Sequence, residues 1–249
     1  MPRDLSYDEK LDKLQVRIRA HKLFANFDVS DWIEEFTARA PRRSIFDLGC
    51  GDGNHFGIYF RHAETVTGLD REQKLLDAAK SAYPKANLYC GSMDDPLPFA
   101  DRAFDLCFSN FAIYNARDPR FTISELKRVL QTGGELVLIG PTANNARELF
   151  EFDASLTGRP TDAVIFTRAD RLRSEIAPIA REILGDYREE VLRSRLTFPT
   201  AEEFVKYFRA TMLHEKSGIG EQEMLEAVPR DRDIVVSKEM VTIITNNRT

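Results

Sequence analysis

Residues 44–54 read Ser44-Ile-Phe-Asp-Leu-Gly-Cys-Gly-Asp-Gly-Asn54 and join a short, mostly apolar run to helix-forming sequence. The run has the composition of a strand that is buried on both faces. Three glycines follow it within five residues, and glycine can adopt φ > 0 and let a ligand lie against bare backbone. A helix that begins behind such a turn offers free N–H groups to an anionic group. We therefore expect a ligand site here, with an adenosine-containing molecule as the first hypothesis.

The spacing of the glycines separates two classes of ligand. A dinucleotide fingerprint, G-x-G-x-x-G, has its third glycine where this chain has Asn54. The pattern here is instead Asp47-x-Gly-x-Gly-x-Gly. A second acid, Asp70, ends a predicted strand 21 residues after Gly49, where a carboxylate can accept both hydroxyls of a ribose. The pattern thus favours an adenosine ligand and disfavours a nicotinamide dinucleotide.

Strands and helices alternate regularly from residue 44 to residue 140. The predicted strands cover residues 44–48, 65–70, 87–90, a segment starting at residue 104, and 133–140, and helices are predicted from about residue 54, over 72–82 and over 121–131. This alternation predicts a parallel sheet with right-handed crossovers. Ligands of such sheets bind beyond the carboxyl ends of the strands, so we expect one shared pocket at that edge.

Four motifs in this order resemble the class I S-adenosylmethionine-dependent methyltransferases, in particular the small-molecule, type 11-like members. They are the Asp47-led glycine turn, Asp70, the loop Gly91-Ser-Met-Asp-Asp-Pro-Leu-Pro-Phe99, and Phe104 to Asn115 followed by Gly133-Gly134. The resemblance implies a doubly wound, Rossmann-like α/β fold with a mostly parallel seven-stranded sheet and helical cap insertions. It also implies S-adenosylmethionine as the cofactor.

The resemblance assigns roles to individual residues. The glycines would approach the methionine part of the cofactor, Asp47 would orient its ammonium directly or through water, and Asp70 would take the ribose hydroxyls. Many family members have aspartate where this chain has Ser92, so Asp94 is a substitute contact for the adenine amino group. The predicted cofactor-binding residues are Asp47, Gly49, Gly51, Gly53, Asp70, Ser92, Met93, Asp94 and Ser109.

Catalytic candidates are fewer. Many relatives have histidine where this chain has Tyr114 or Asn115, at the end of the fourth strand. Tyr114 is therefore either a group that orients the acceptor or a packing aromatic. His55, just after the glycine turn, either faces the pocket or is structural.

The spacing of Cys50, Cys90 and Cys107 does not suggest zinc, so we predict three core cysteines and no metal.

The chain is interpreted as a single domain, 1–249, in three parts. Residues 1–40 form an N-terminal helical arm, 41–140 the cofactor-binding core, and 141–249 the helical cap elements and C-terminal strands. The arm either closes the site with aromatic residues (Phe24, Phe27 or Trp32) or simply packs on the sheet edge. The predicted helices of arm and cap cover residues 7–38, 145–185 with a break near 158–160, 200–213 and 221–227, and the predicted C-terminal strands cover 191–198 and 233–245.

Composition limits the choice of partners. The 249 residues carry a formal charge of −5, with a pI near 5.5, which argues against a broad phosphate-binding surface and so against nucleic acid. The sequence has no apolar run of membrane-spanning length, so we expect a cytoplasmic protein with no membrane partner. The expected partner is a small-molecule substrate, and neither oligomeric state nor methyl-acceptor atom is predicted.

The resulting functional hypothesis is S-adenosylmethionine-dependent methyl transfer to a small-molecule acceptor by in-line displacement. One alternative is a non-catalytic protein that binds S-adenosylmethionine as a sensor or as a partner subunit. Another is a nicotinamide-dependent oxidoreductase, which Asn54 and the Asp47-led pattern disfavour.

Overall fold

A computed structural model of the chain describes residues 11–160, 167–229 and 232–248. The parts of the predicted helices that fall at residues 7–10 and 161–166 lie outside these ranges. Within them, the chain forms one sheet, helices on both of its faces, and a group of helices beyond its carboxyl edge.

The central sheet has seven strands in the order β3-β2-β1-β4-β5-β7-β6. The strands are β1 (Arg42–Leu48), β2 (Ala63–Asp70), β3 (Asn87–Cys90), β4 (Phe104–Asn110), β5 (Leu130–Pro141), β6 (Tyr187–Phe198) and β7 (Ile234–Asn246). β7 runs antiparallel to both of its neighbours, and the pairs from β3 to β5 are parallel. The predicted mostly parallel, seven-stranded α/β fold is confirmed.

The helices alternate with the strands in the first half of the chain and cluster in the second half. They are α1 (Leu11–Phe24), α2 (Val29–Thr37), α3 (Phe56–His62), α4 (Gln73–Ala82), α5 (Pro119–Val129), α6 (Arg147–Thr157), α7 (Ala177–Leu184), α8 (Ala201–Arg209), α9 (Met212–Ser217) and α10 (Glu221–Ala227). A π-helical turn, Leu172–Ile176, precedes α7, and a 3-10 turn, Ile113–Asn115, follows β4.

The boundaries differ from the sequence predictions where tertiary contacts interrupt a helical pattern. The predicted arm helix is two helices, because Ala25 pairs with Leu196 of β6 and Asp28 caps α2 by accepting from the Ser30 N–H. The predicted helix over 200–213 likewise ends at Arg209, and α9 begins at Met212. β6 begins four residues earlier than predicted, because Tyr187 pairs with Thr245 of β7.

The first and last residues of helix α5 also differ from the predicted range, 121–131. It begins at Pro119, because Asp118 caps it by accepting from the Phe121 N–H and proline suits the first helical position. It ends at Val129, because Leu130 is already extended as the first residue of β5.

The two faces of the sheet bury separate apolar clusters. Alternating residues of one strand serve each face, as Phe46 and Leu48 do on one side and Ile45 on the other. The first cluster packs under α5 and α7, and the second under α2, α3 and α4. This double coverage explains the nearly continuous apolar composition of β1.

A third apolar cluster lies beyond the carboxyl edge and belongs to the cap. β6 and β7 continue past the end of β5 at Pro141, and their ends carry Leu196, Phe198 and Val236 into this cluster. Phe152 of α6 and Phe208 of α8 pack with ring centroids 5.1 Å apart. Arg17 of α1 donates to the Ala210 carbonyl at 2.8 Å, so the arm is part of the cap packing.

Gly49 is required by packing as well as by conformation. Its φ is +78°, and a Cβ built on it would overlap the Ala112 methyl group. We expect Gly49→Ala to lower the free energy of unfolding by about 2–4 kcal/mol, from left-handed strain plus overpacking. Denaturant unfolding of the purified variant measures this loss.

Gly133→Ala is the matched control. Gly133 has φ +80°, and no atom of a described residue lies within 4 Å of its Cβ position, so only the conformational cost of about 1–2 kcal/mol applies. Equal losses for the two variants would contradict the packing role of Gly49.

Candidate functional site

The glycine turn lies at the carboxyl end of β1 and is held to the end of β2. Gly49, Gly51 and Gly53 have φ values of +78°, +56° and +74°. The N–H groups of Gly49 and Cys50 both donate to the Leu69 carbonyl, at 2.7 and 3.2 Å. Among the residues that the structure describes, the Cβ position of Gly51 meets only the Leu14 Cδ2 of α1 within 4 Å, at 3.8 Å. The turn therefore presents bare backbone at Gly51, with the arm as its nearest neighbour.

Asp70 fixes the shape of this turn through both carboxylate oxygens. Its Oδ2 accepts from the Gly51 N–H and its Oδ1 from the Glu72 N–H, each at 2.9 Å. A carboxylate has about four lone-pair sites, so two bonds leave acceptor capacity for hydroxyl groups. The predicted ribose contact is compatible with this geometry and stays a prediction.

Asp47 is a buried acid beneath the turn. It is 2% exposed, its Oδ2 accepts from the Tyr59 hydroxyl at 3.3 Å, and its Oδ1 has no hydrogen-bond partner within the described part of the chain. Burial raises the pKa of Asp47 from 3.8 to about 7; the Asp70 charge adds to this, and the Tyr59 hydrogen bond works against it. A buried oxygen without a hydrogen-bond donor is unusual. This oxygen can accept a hydrogen bond from the N–H of a cationic group.

The predicted adenine loop packs beside the turn. Met93 contributes a Cε that lies 3.7 Å from the Cβ position of Gly49, and its carbonyl accepts from the Thr122 hydroxyl. The Ser92 hydroxyl accepts from the Asp94 N–H at 3.1 Å, and the Asp94 carboxylate accepts from the Arg117 N–H at 2.7 Å. The Asp94 carboxylate thus joins this loop to the segment after β4, and its role toward adenine remains a prediction.

Ser109 is placed under the turn rather than on its surface. It is fully buried, and its hydroxyl donates to the Leu48 carbonyl at 2.9 Å. This bond ties the carboxyl end of β4 to that of β1. Ser109 can join the two strands without contacting a cofactor. Its predicted contact with the cofactor stays a prediction.

His55 lies under the arm on the α3 side of the sheet. Its ring centroid is 6.4 Å from that of Tyr59, and its Nε2 lies 3.3 Å from Asn54 Nδ2. Burial lowers the pKa of His55 to about 4, so the ring is neutral at pH 7. A catalytic role for His55 remains a prediction.

Tyr114 lies on the opposite face of the sheet from His55. It packs against the α5–α7 cluster, with its Cδ1 3.2 Å from the Cβ position of Gly140. Its carbonyl and that of Ala116 accept from Arg171, at 2.9 and 2.6 Å. Arg171 thereby ties the cap to the loop that follows β4. The two catalytic candidates are not brought together as a pair.

Sequence reasoning missed the roles of Tyr59 and Asn110 and the backbone conformation of Phe111. Tyr59 and Asn110 join Asp47 in a buried hydrogen-bonded chain, in which Asn110 Nδ2 donates to the Tyr59 hydroxyl oxygen at 2.7 Å. Phe111, directly after Asn110, has a left-handed φ of +54°, a conformation that is uncommon for non-glycine residues. Asn110 was inside the stretch singled out at the end of β4, but nothing local marks Tyr59 or the strain at Phe111.

Leu14 of the arm lies against the turn at Gly51, while Phe27 packs against the second apolar cluster. Phe24 packs on Phe198 in the cap, with centroids 5.4 Å apart. Trp32 is buried against Phe36 and donates to the Glu190 carboxylate at 2.9 Å. These two rings hold the arm to the cap and to β6.

Two further expectations concern cysteines and metals. Cys50 and Cys107 are buried as predicted, but Cys90 is exposed at the end of β3, because this edge strand is covered less well than β1 or β4. The described residues contain no group of three His, Cys, Asp or Glu side chains arranged to hold a metal. Their helices include none that is long and apolar enough to span a bilayer.

The raised pKa of Asp47 predicts a pH-dependent cost to stability. Since the folded pKa of about 7 exceeds the ordinary aspartate pKa of 3.8, the native state favours the protonated acid, and stability is lost as pH rises from about 4 through 7. We expect Asp47→Asn to unfold with a higher free energy than the wild type at pH 8, by roughly 1–4 kcal/mol. The gain shrinks as pH falls toward 4.

Urea unfolding at pH 8, 6 and 4 measures this difference. Asp77→Asn, an exposed acid on α4, is the control and should show no such trend. A gain for Asp47→Asn that is constant across the three pH values would contradict the assigned cause.

The comparisons with known proteins agree with this architecture. A family model described as "Methyltransferase domain" matches residues 46–138, which include the glycine turn and the ends of β2 and β4. A solved structure, the YcgJ protein from Bacillus subtilis, superposes with a TM-score of 0.62 at 16% identity, covering 88% of this chain and 98% of that one. At this identity the superposition supports the fold alone.

Two curated relatives resemble the chain in sequence. A malonyl-[acyl-carrier protein] O-methyltransferase from Erwinia billingiae is 35% identical over 120 residues, covering 47% of this chain and 47% of that protein. A tRNA U34 carboxymethyltransferase from Hahella chejuensis is 37% identical over 120 residues, covering 44% of this chain and 36% of that protein. The matches span less than half the length of either relative. Residues 46–138 thus match the methyltransferase-domain family model, and in sheet order and glycine turn the chain is similar to the class I S-adenosylmethionine-dependent methyltransferases.

Proposed function

We propose that the protein transfers the methyl group of S-adenosylmethionine to a small-molecule acceptor bound between the carboxyl edge of the sheet and the cap. The observation that carries the proposal is the turn at Gly51, where bare backbone meets the Asp70 carboxylate. Asp47, two residues before the turn, adds a buried carboxyl with an unpaired oxygen. Open backbone, hydroxyl acceptors and a buried carboxyl match the amino acid and ribose parts of this cofactor.

When bound, the cofactor supplies a methyl carbon already activated by a sulfonium, so that the protein has to align the acceptor and exclude water. Leu14 contributes an apolar cover over the turn. Asp70 and Ser109 keep the turn and the end of β4 in fixed positions. Good alignment of this kind is worth roughly 7–11 kcal/mol of the barrier.

The turn that follows β4 favours an acceptor that needs no general base. It carries Tyr114 and Asn115, where the resemblance to the family implies a histidine in many members. A carboxylate is already ionised at neutral pH and requires no general base, whereas an alcohol does. We therefore infer that acidic metabolites are the first acceptors to test.

A second candidate acceptor is an acid carried on an acyl-carrier protein. It is supported by the relative from Erwinia billingiae, whose name states malonyl-[acyl-carrier protein] as its substrate. The relative from Hahella chejuensis is named for tRNA, and the charge of −5 argues against nucleic acid here. A non-catalytic protein that binds the cofactor as a sensor or partner subunit is the remaining alternative.

Transfer of a labelled methyl group separates these possibilities. The purified protein is incubated with S-[methyl-³H]adenosylmethionine and three acceptor pools: small carboxylic acids, malonyl-loaded carrier protein, and total tRNA. We expect label in the first pool. Label in the second or third alone would contradict the small-molecule acceptor, and tight cofactor binding with no label in any pool would favour the non-catalytic alternative.

Asp70 provides the matching test of the cofactor site. Asp70→Ala removes an anionic acceptor, and we expect the affinity for S-adenosylhomocysteine to fall by about 1–3 kcal/mol, as is typical of losing charged hydrogen bonds. Isothermal calorimetry measures the loss, with Asp77→Ala as an exposed control on α4. Unchanged affinity in a folded Asp70→Ala variant would contradict the site.

A further inference from the structure

Lys238 of β7 is a partly buried cation without a partner among the residues that the structure describes. Its ammonium donates no hydrogen bond to them and forms no ion pair with them. Val236 and Met240, two residues away in either direction on the same face of the strand, are 0% and 4% exposed. Charged side chains seldom lie in such a row unless they are paired, so this lysine requires an explanation.

The side chain of Lys238 leaves the sheet on the side of the arm. Lys238 lies directly opposite Ser194 of β6, and opposite residues of an antiparallel pair share a face. Ser194 is 8% exposed, and its hydroxyl donates to the Phe27 carbonyl, between α1 and α2, at 2.7 Å. Ile244, on the same face of β7, packs in the second apolar cluster. Lys238 therefore lies between this cluster and the cap, beneath the arm.

His21 of α1 faces Lys238 from the arm. Its ring lies edge-on to Tyr207 of α8, with centroids 6.2 Å apart, and its ring nitrogens make no hydrogen bond with a described residue. Burial and the nearby charges of Lys238 and Arg17 lower the pKa of His21 to about 3, and the Asp28 carboxylate works against this shift. The ring is neutral at pH 7 and keeps one N–H donor. Two cations and one carboxylate act on this ring, so an anion is the group that would balance the local charge.

Lys238 and His21 both lie some distance beyond the glycine turn. Ile139 of β5 is level with the last residue of β4 and with Thr242 of β7. Lys238 is four residues, or about 13 Å, past that level in the direction of the cap. On the arm, His21 follows Leu14, which lies against the turn, by two helical turns, or about 10 Å. The two groups are thus about the length of a small molecule from the end of β4, where the methyl group is expected.

We propose that Lys238 and His21 bind a carboxylate at the end of the acceptor that lies away from the transferred methyl group. The proposal rests on the proposed function and names its acceptor class, which is a dicarboxylic acid. An oxygen of the first carboxylate forms the bond to the methyl carbon as the carbon–sulfur bond breaks, and the electron pair of that bond stays on sulfur. The second carboxylate takes the positive charge of Lys238 and the N–H of His21. A monocarboxylate of the same length leaves that ammonium unpaired and so binds more weakly.

Methyl transfer to matched acids tests the proposal. The acceptors are the straight-chain dicarboxylates from succinate to suberate, each compared with the monocarboxylate of the same number of carbons, and labelled S-adenosylmethionine is the donor. We expect the wild type to have a kcat/KM about tenfold or more higher for the best dicarboxylate than for its monocarboxylate, as a charged hydrogen bond provides. Lys238→Met, which keeps the length of the side chain, should remove this preference through KM and leave the monocarboxylate within about twofold. Lys238→Arg should keep most of the preference, and His21→Phe should lower it.

Lys74→Met, an exposed lysine on α4, is the matched control and should keep the preference. Calorimetry of the same dicarboxylate with the S-adenosylhomocysteine complex gives a readout without turnover, in which Lys238→Met should bind about tenfold more weakly. Since no described residue pairs with Lys238, Lys238→Met should unfold in urea at the same concentration as the wild type or at a higher one. A structural lysine would instead lower that concentration when replaced.

The outcomes separate the proposal from the function on which it rests. Equal use of both kinds of acid by the wild type, or an equal loss for both in Lys238→Met, would overturn the carboxylate site and leave the proposed function intact. A wild type that binds S-adenosylhomocysteine but neither binds nor methylates any of these acids would also overturn the carboxylate site. A wild type that does not bind S-adenosylhomocysteine would overturn the proposed function itself.

Discussion

The carboxylate of Asp70 is the contact on which the site depends. It accepts from the Gly51 and Glu72 N–H groups, and so joins the turn after β1 to the start of α4 through the end of β2. The preceding carbonyl, of Leu69, takes the N–H groups of Gly49 and Cys50. The last two residues of β2 therefore determine the path of the glycine turn, and parallel pairing of β1 with β2 determines where they lie.

The cap has its own apolar cluster, which is built on two strands of the same sheet. β6 and β7 extend beyond Pro141 and carry a cluster of aromatic residues that buries α6, α8 and α10. The arm joins this cluster through Arg17 and Phe24, while Leu14 lies over Gly51. Arm and cap are thus held together over the carboxyl edge of the sheet.

The sequence predicted the sheet and the position of the glycine turn and Asp70 at its carboxyl edge, because both depend on local patterns. Glycine spacing and an acid at a strand end are readable from neighbouring residues, as with Gly51 and Asp70. The chain of Asp47, Tyr59 and Asn110 was not predicted, because it joins residues that are 12 and 51 positions apart through strand register and helix packing. The break at Ala25 was missed for the same reason, since its pairing partner, Leu196, is in the distant strand β6.

A crystal structure with S-adenosylhomocysteine bound tests the central claim most directly. The account predicts the ribose hydroxyls on Asp70, the adenine beside Met93, and the methionine part against Gly51 with its ammonium toward Asp47. A ligand bound away from the carboxyl edge of β1 and β2, or a ribose that does not contact Asp70, would contradict it.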